Sequence, residues 1–118
     1  MSPEQKKLLE QAGVNYTSGL ERFMNNEGMF QRFLKKFAQD DSYNQLCNAL
    51  EAGDCEAAFR AAHTLKGVAG NLSMDTLFHA LTSQTEQLRS GDLESARAAQ
   101  PQIDTVYHAI LDALSALC

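Results

Sequence analysis

The sequence predicts an all-α protein, an antiparallel up-and-down four-helix bundle preceded by short extra N-terminal helices. Ala (16 residues) and Leu (15) far outnumber Val (3) and Ile (2), and it is β-branched residues that favour sheets. Apolar residues recur at helical spacing along most of the chain, which contains only two prolines. The helical segments alternate with short joints, a pattern typical of antiparallel bundles.

Capping residues divide the first half of the chain into four expected helices. Ser2, Ser18 and Ser42 each stand three residues before a Gln or Glu, which is the pattern of a helix capping box. The expected helices run over residues 3–12, 18–24, 28–38 and 42–52. On the third of these, the helical spacing of the aromatic side chains predicts three core residues: Phe30, Phe33 and Phe37.

The second half predicts three longer helices separated by tight joints. Gly53–Asp54 and Gly91–Asp92 each combine a helix stop with a helix start, and Ser73 marks the turn between them. The expected helices run over residues 54–72, 75–90 and from 92 to near the C-terminus. Pro101 predicts a kink or break in the last helix. That helix is expected to face the core with Ile103, Val106, Ile110, Ala113 and Leu117.

Composition and charge narrow the function classes. The chain has 118 residues and a net charge of −5, so residues 1–118 are expected to form one domain that binds no nucleic acid. No apolar run approaches the about 20 residues of a membrane span, and no signal peptide is recognisable, so we expect a cytoplasmic protein. Cys47, Cys55 and Cys118 match no zinc or C-x-x-C spacing and are expected to be reduced, with Cys118 exposed.

The segment 54–72 carries a histidine on the side of its helix that faces away from the core. An alanine and leucine stripe at steps of three and four must face the bundle interior: Ala58, Ala62, Leu65, Ala69 and Leu72. At about 100° per residue, His63 lies more than 90° from the centre of that stripe. Phe59, Gly67 and Gly70 fall on nearly the same outward line. The other two histidines, His79 and His108, have no such setting and are expected to be surface residues.

The surroundings of His63 predict a site for a phosphoryl group. A glycine inside a helix costs about 1 kcal/mol relative to alanine, so Gly67 and Gly70 must serve something other than helix stability. Gly67 leaves the imidazole uncovered, and Lys66 can bring an ammonium near a charge on the ring. A neutral imidazole is a nucleophile that needs no separate base. Because the sequence has no nucleotide-binding loop, we expect the domain to carry phosphate without generating it.

The chain resembles the histidine-containing phosphotransfer (HPt) domains of bacterial phosphorelays. The resemblance is carried by Gly53–Asp54 and above all by residues 62–72, AHTLKGVAGNL, and it extends through the whole chain. It implies a four-helix bundle whose exposed histidine takes a phosphoryl group from one receiver-domain aspartate and passes it to another. It further implies that His63 is the phosphoacceptor, Lys66 the phosphate-neutralising cation and Gly67 the residue that leaves access.

One position departs from the family pattern. Many members place a Glu or Gln 22 residues after the histidine, where it hydrogen-bonds the imidazole. This chain has Thr85 there, with Gln84 beside it. Either Thr85 acts with a shorter reach, a water bridges, or the ring is less constrained. The surface expected to bind a partner comprises Phe59, Arg60, Gly70, Thr85 and Arg89.

Three function classes follow from these residues. The first is a phosphorelay intermediate, a monomer without cofactor or metal of its own, whose partners are receiver domains of response regulators and hybrid histidine kinases. Mg²⁺ is then expected only in the partner. The alternative is a helical adaptor that binds receiver domains without being phosphorylated. The third class, a histidine kinase dimerisation domain or a phosphatase, is disfavoured because Thr64 follows His63 where an acidic residue is usual.

Overall fold

A computed structural model describes residues 1–117, in which the chain forms seven α-helices and no strand. The helices are joined by segments of two to four residues. Cys118, which is predicted to be exposed, lies outside the described residues. The helix bounds are α1 Pro3–Gln11, α2 Tyr16–Arg22, α3 Glu27–Phe37, α4 Ser42–Ala52, α5 Cys55–Asn71, α6 Asp75–Arg89 and α7 Leu93–Ser115.

The last four helices form the predicted antiparallel up-and-down bundle. α5 packs between α4 and α6, α6 also packs against α7, and α7 returns to contact α4. The three short helices flank this bundle, with α1 against α7 and α2 against both α1 and α3. No helix within residues 1–117 combines the length and the apolarity needed to cross a membrane.

The core follows the apolar periodicity of the helices. The predicted stripe on α5 is buried along its whole length, and on α7 the inward residues are buried except Val106, which is half-buried. Phe30 and Phe37 of α3 are buried, and Phe37 packs its ring against Tyr107. The prediction that Phe33 belongs to the core is wrong, because its side chain is 40% exposed. Phe33 instead packs its ring against that of Phe23, with centroids 5.2 Å apart, and Lys36 Nζ lies 5.2 Å from the centre of the Phe33 ring.

Three capping predictions were confirmed, one at the N-terminus and two at the joints before α5 and α7. Ser2 and Gln5 form the expected capping box. Asp54 and Asp92 are N-caps whose side chains accept hydrogen bonds from the first turns of α5 and α7. Gly53 and Gly91 have φ values of +74° and +81°, a left-handed conformation in which a Cβ is strained.

One predicted helix start, at Ser18, and one predicted capping box, at Ser42, are wrong. α2 begins after Asn15, whose side chain accepts from the Ser18 amide, while the Ser18 hydroxyl lies 3.0 Å from that of Ser73. α4 begins at Ser42, as predicted, but Ser42 is its buried first residue and not its cap, and its amide donates to Asp40. In both cases an Asn or Asp upstream of the serine precedes the helix, and the serine is drawn into it.

The predicted break at Pro101 is also absent. Pro101 lies within α7, which runs unbroken from Leu93 to Ser115. Proline removes one backbone hydrogen bond and places its ring against the preceding turn, yet here it lies on the exposed side of the helix. Ala96 and Ile103, on either side of it, are buried in the same core, and this packing keeps both halves helical; the predicted kink stays a prediction.

Candidate functional site

His63 lies near the middle of α5 and is exposed, as the helical periodicity predicts. The residues on the opposite side of the helix, Ala58, Ala62, Leu65 and Ala69, are fully buried against the bundle. Alanine on this buried face lets α4 and α6 approach α5 closely. The helix is thereby fixed on one side, and the imidazole is presented on the other.

The two glycines of α5 are glycine for different reasons. A Cβ added to Gly67 would meet no atom within 4 Å, so the space one turn after His63 is open. A Cβ added to Gly70 would come within 3.1 Å of the Phe78 ring on α6. The close packing of α6 therefore favours glycine at position 70, and the contact of Gly70 with a partner stays a prediction. Gly67 alone keeps open space beside the imidazole.

Three basic side chains surround this part of α5, and they differ in their partners. Arg60 Nη1 donates to Glu56 Oε1 at 2.9 Å, and Arg89 Nε donates to Glu86 Oε1 at 3.2 Å. Lys66 is half-buried and takes part in no ion pair within residues 1–117. In a chain with more acids than bases, an unpaired ammonium one turn from His63 is available to neutralise an incoming anion.

Phe59 connects His63 to the neighbouring helix. Its ring centroid lies 5.9 Å from that of His63, with the two rings tilted by 34°. The Arg89 guanidinium lies 5.0 Å from the centre of the same Phe59 ring. Phe59 is half-buried, so one part of the ring packs on the core and the other is accessible beside the histidine. Arg60 and Arg89, both exposed, border it.

The two α6 residues considered for orienting His63 are directed elsewhere. Thr85 is fully buried and its hydroxyl has no hydrogen-bond partner, so its predicted place on the partner-binding surface is wrong. Gln84 is also fully buried and donates to Ala96 O at 3.0 Å and Gln100 Oε1 at 2.7 Å, towards α7. Neither Thr85 nor Gln84 therefore makes a direct hydrogen bond to the imidazole of His63 in this structure.

Arg22 is brought to the site from a distant part of the sequence. Its Nε donates to the hydroxyl of Ser73 at 3.1 Å, which ties α2 to the turn between α5 and α6. There it lines a shallow cleft of about 430 Å³ together with Gly67, Gly70 and Phe78. Sequence reasoning missed Arg22 because no spacing relates it to residues about fifty positions later. Ser73 in this turn is buried and has a positive φ of +54°, and its hydroxyl is the group that Arg22 contacts.

The remaining predicted features can be placed briefly. His79 and His108 are exposed, as expected, and the Nδ1 atom of His108 lies 2.7 Å from the backbone carbonyl oxygen of Asp104. Cys47 and Cys55 are free thiols. Burial raises the pKa of Cys47, so it is a weaker nucleophile than an ordinary thiol. Within residues 1–117, no three His, Cys, Asp or Glu side chains are grouped so that they could hold a metal ion.

Comparison with known families agrees with the geometry of the site. The family model for the Hpt domain matches residues 29–117, which include α3 except its first two residues, the four bundle helices and His63. No curated protein and no solved structure matches the chain significantly. The family match covers most of the sequence and contains every residue of the candidate site except Arg22. The chain therefore belongs to the Hpt family, the histidine phosphotransfer domains of two-component signalling.

Proposed function

We propose that this protein is a phosphorelay intermediate that accepts a phosphoryl group on His63 from a receiver-domain aspartate and passes it to the aspartate of a response regulator. The observation that carries the proposal is the open space at Gly67, where a Cβ would meet nothing within 4 Å, next to an exposed imidazole. A histidine that must reach an aspartate on another protein has to stand clear of its own helix. Lys66, one turn along, is the one basic neighbour on α5 without an ion pair in residues 1–117.

The transfer requires little chemistry from this chain. The lone pair of a ring nitrogen of neutral His63 attacks phosphorus, and an N–P bond forms while the P–O bond to the aspartate breaks. The aspartate leaves as a carboxylate with the electron pair, and the proton on the other ring nitrogen stays. Lys66 neutralises the negative charge of the phosphoryl oxygens, which is the kind of electrostatic help that phosphoryl transfer needs. The reverse sequence delivers the group to the next receiver.

The other requirements belong to the partners. Receiver domains of response regulators and of hybrid histidine kinases would supply the aspartate and the Mg²⁺, in the cytoplasm. We assign no kinase activity to this chain, because phosphoryl transfer from ATP needs a nucleotide-binding loop that its sequence lacks. A monomer suffices for the proposed function, since one His63 and one Lys66 make one site.

The test is phosphorylation by a receiver domain. Purified protein is incubated with a ³²P-phosphorylated receiver domain, and the label is followed on the small chain by gel. We expect a phosphate that is labile to acid and stable to base, as a phosphorylated imidazole is, and His63→Gln should remove it. The chain supplies matched controls, since His79→Gln and His108→Gln alter the two other exposed histidines and should leave the label in place.

Two results would contradict the proposal. Label that persists in His63→Gln would place the acceptor elsewhere in the chain. Absence of label in the wild type, with the receiver domain still bound in a pull-down, would instead favour the adaptor function. Binding by His63→Gln with loss of label, on the other hand, separates docking from transfer and supports the proposed role of His63.

A further inference from the structure

The imidazole of His63 lacks the hydrogen bond that would fix its orientation. Within residues 1–117 neither ring nitrogen has a hydrogen-bond partner, and the hydroxyl of Thr85, level with it on α6, is buried and unpartnered. Two contacts between α5 and α6, Gly70 with Phe78 and Phe59 with Arg89, show which residues of the two antiparallel helices lie opposite each other. By the same pairing, Thr85 lies opposite His63. Glu86, next to Thr85, is occupied with Arg89 at 3.2 Å. An exposed histidine free of restraint samples several rotamers, and only some of them suit attack on phosphorus.

Phe59 is the side chain that restrains the ring. It precedes His63 by one helical turn, so the two side chains are neighbours on the same face. Their centroid distance of 5.9 Å, at a tilt of 34°, falls within the distance range in which aromatic rings attract each other. On the other side of His63 the open space at Gly67 offers no contact. The ring therefore has an aromatic wall towards the start of α5 and free space towards its end.

Arg89 in turn fixes Phe59. Its guanidinium lies 5.0 Å from the Phe59 ring centre, within the distance of a cation–π contact. Glu86 holds the same guanidinium by an ion pair on the surface of α6. Such an exposed ion pair contributes little to stability, but it limits where the arginine points. Glu86, Arg89 and Phe59 thus form a chain of contacts that leads from α6 to the imidazole on α5.

We infer that Phe59, held by Arg89, is the positioning residue for His63 and replaces the hydrogen bond that a side chain of α6 would otherwise make. This inference rests on the proposed function, because orientation matters only if His63 accepts a phosphoryl group. The Phe59 ring narrows the rotation of the imidazole and directs it over the gap at Gly67. Neither Phe59 nor Arg89 takes part in bond making. Their effect is on the fraction of time that the reacting nitrogen is presented.

The experiment separates orientation from partner docking by using phosphoramidate, a small phosphodonor that needs no docking surface. The ring nitrogen attacks its phosphorus, and the P–N bond breaks to release ammonia. We compare Phe59→Leu and Arg89→Gln with their conservative counterparts Phe59→Tyr and Arg89→Lys. Phe33→Leu is the matched control, since Phe33 is an exposed aromatic on α3. The imidazole proton signals of His63 are recorded by NMR for every variant, together with circular dichroism to show that each one folds.

Phe59→Leu should slow labelling by phosphoramidate about three- to tenfold, which is the size of one aromatic contact, and Arg89→Gln by less. Phe59→Tyr and Arg89→Lys should keep most of the rate, and Phe33→Leu should keep all of it. The NOE between the rings of residues 59 and 63, and the ring-current shift of His63, should be lost in Phe59→Leu.

Unchanged phosphoramidate rates and unchanged His63 signals in folded Phe59→Leu would overturn the inference. So would loss of transfer from a receiver domain with normal labelling by phosphoramidate, because Phe59 would then act in docking alone. If the wild type is not phosphorylated on His63 by any donor, the proposed function fails. The NMR signals alone would then report whether Phe59 orients the ring.

Discussion

Polar side chains between α4 and α7 are hydrogen-bonded to one another, whereas, in the part of the chain that the structure describes, His63 and Lys66 on the outward face of α5 are not. Between α4 and α7, Asp104 accepts from the Tyr43 hydroxyl and, at 2.9 Å, from the Gln100 amide, whose oxygen accepts from Gln84. The Tyr43 ring also stacks on that of Tyr107, with centroids 3.8 Å apart. On the outward face of α5, within residues 1–117, His63 has no hydrogen-bond partner and Lys66 has no ion pair.

The difference shows how one small bundle can be both rigid and reactive. A buried or half-buried polar group that has its partners contributes to a unique packing, whereas one that lacks them costs stability. Exposed His63 carries no such penalty and can stay unpartnered until a phosphoryl group arrives, and half-buried Lys66 has no ion pair within residues 1–117 that would have to break first. The α4–α7 network, defined by Tyr43, Gln84, Gln100 and Asp104, is thus expected to respond to substitution in stability, and the α5 face in transfer.

The largest effect is expected from filling the open space on the α5 face. Gly67→Leu places a side chain beside His63 and should slow transfer from a receiver domain about a hundredfold, since a displacement of about 1 Å at a reacting centre has that effect. Leucine is the better helix former by about 1 kcal/mol, so the urea midpoint should not fall.

Asn48→Leu provides the control for Gly67→Leu, because it adds the same side chain at an exposed position of α4. It should leave transfer unchanged. If Gly67→Leu transferred phosphate at the wild-type rate, open space at this position would have no functional meaning.

The second effect belongs to the α4–α7 network. Asp104→Ala leaves the Tyr43 hydroxyl and the Gln100 amide without their acceptor, and we expect the free energy of unfolding to fall by about 1–3 kcal/mol. Urea unfolding measures this change, while the rate of transfer to His63 should stay within twofold of the wild type. The control is Asp112→Ala, an exposed aspartate on the same helix.

An equal loss of stability in Asp104→Ala and Asp112→Ala would show that removal of a charge from α7, and not loss of the network, is responsible. A large loss of transfer in a folded Asp104→Ala protein would show that the α4–α7 network and the α5 face are coupled and do not act separately in stability and in transfer.

The α5 face was more predictable from sequence than the network. The outward direction of His63 follows from about 100° per residue applied to a clear alanine and leucine stripe. The network joins residues 43 and 104, which no local pattern relates, because a bundle brings distant segments together only on folding. The same holds for Arg22 beside the α5–α6 turn.

The error at Thr85 has a local cause. Its spacing of 22 residues from His63 predicts the correct level along α6 but leaves the rotation of α6 undetermined. Leu77, Leu81 and Leu88 mark the buried stripe of that helix, and Thr85 lies four residues after Leu81 and three before Leu88. The apolar period of α6 itself, applied as it was to α5, predicts that Thr85 is buried.

The third effect compares the two glycines of α5. Gly67→Ala should raise the free energy of unfolding by about 0.5–1 kcal/mol, because alanine restricts the unfolded chain and meets nothing in the folded one. In Gly70→Ala the new Cβ meets the Phe78 ring at 3.1 Å, so this gain should be lost and the two variants should differ by about 1 kcal/mol.

A double-mutant cycle checks the cause of that difference. Combining Gly70→Ala with Phe78→Leu should make the alanine favourable again, since the ring that blocks it is gone. Equal stabilisation by alanine at both glycines would show that α6 moves freely at Phe78. The assignment of Gly70 to packing would then be wrong.

The smallest effect concerns pH and three buried phenols, of which only that of Tyr43 belongs to the α4–α7 network. Burial, followed by the hydrogen bond to Asp104, raises the pKa of Tyr43, and burial also raises that of Tyr107. Burial, followed by Glu27, raises the pKa of Tyr16 to about 12. Because the folded state holds these protons more tightly than the unfolded chain, their contribution to stability is complete below about pH 10 and falls as the pH rises further.

Tyr43→Phe tests how much the phenol of Tyr43 contributes to the pH dependence of stability. It removes a hydrogen bond, so it should be less stable than the wild type at pH 8, but it has one fewer proton to lose. The difference in free energy of unfolding between the two proteins should therefore narrow from pH 9 to pH 11, as measured by urea unfolding. Absorbance at 295 nm should show the wild-type phenols ionising above pH 10. A difference that stays constant over this range would mean that Tyr43 ionises in the folded protein as it does in the unfolded chain.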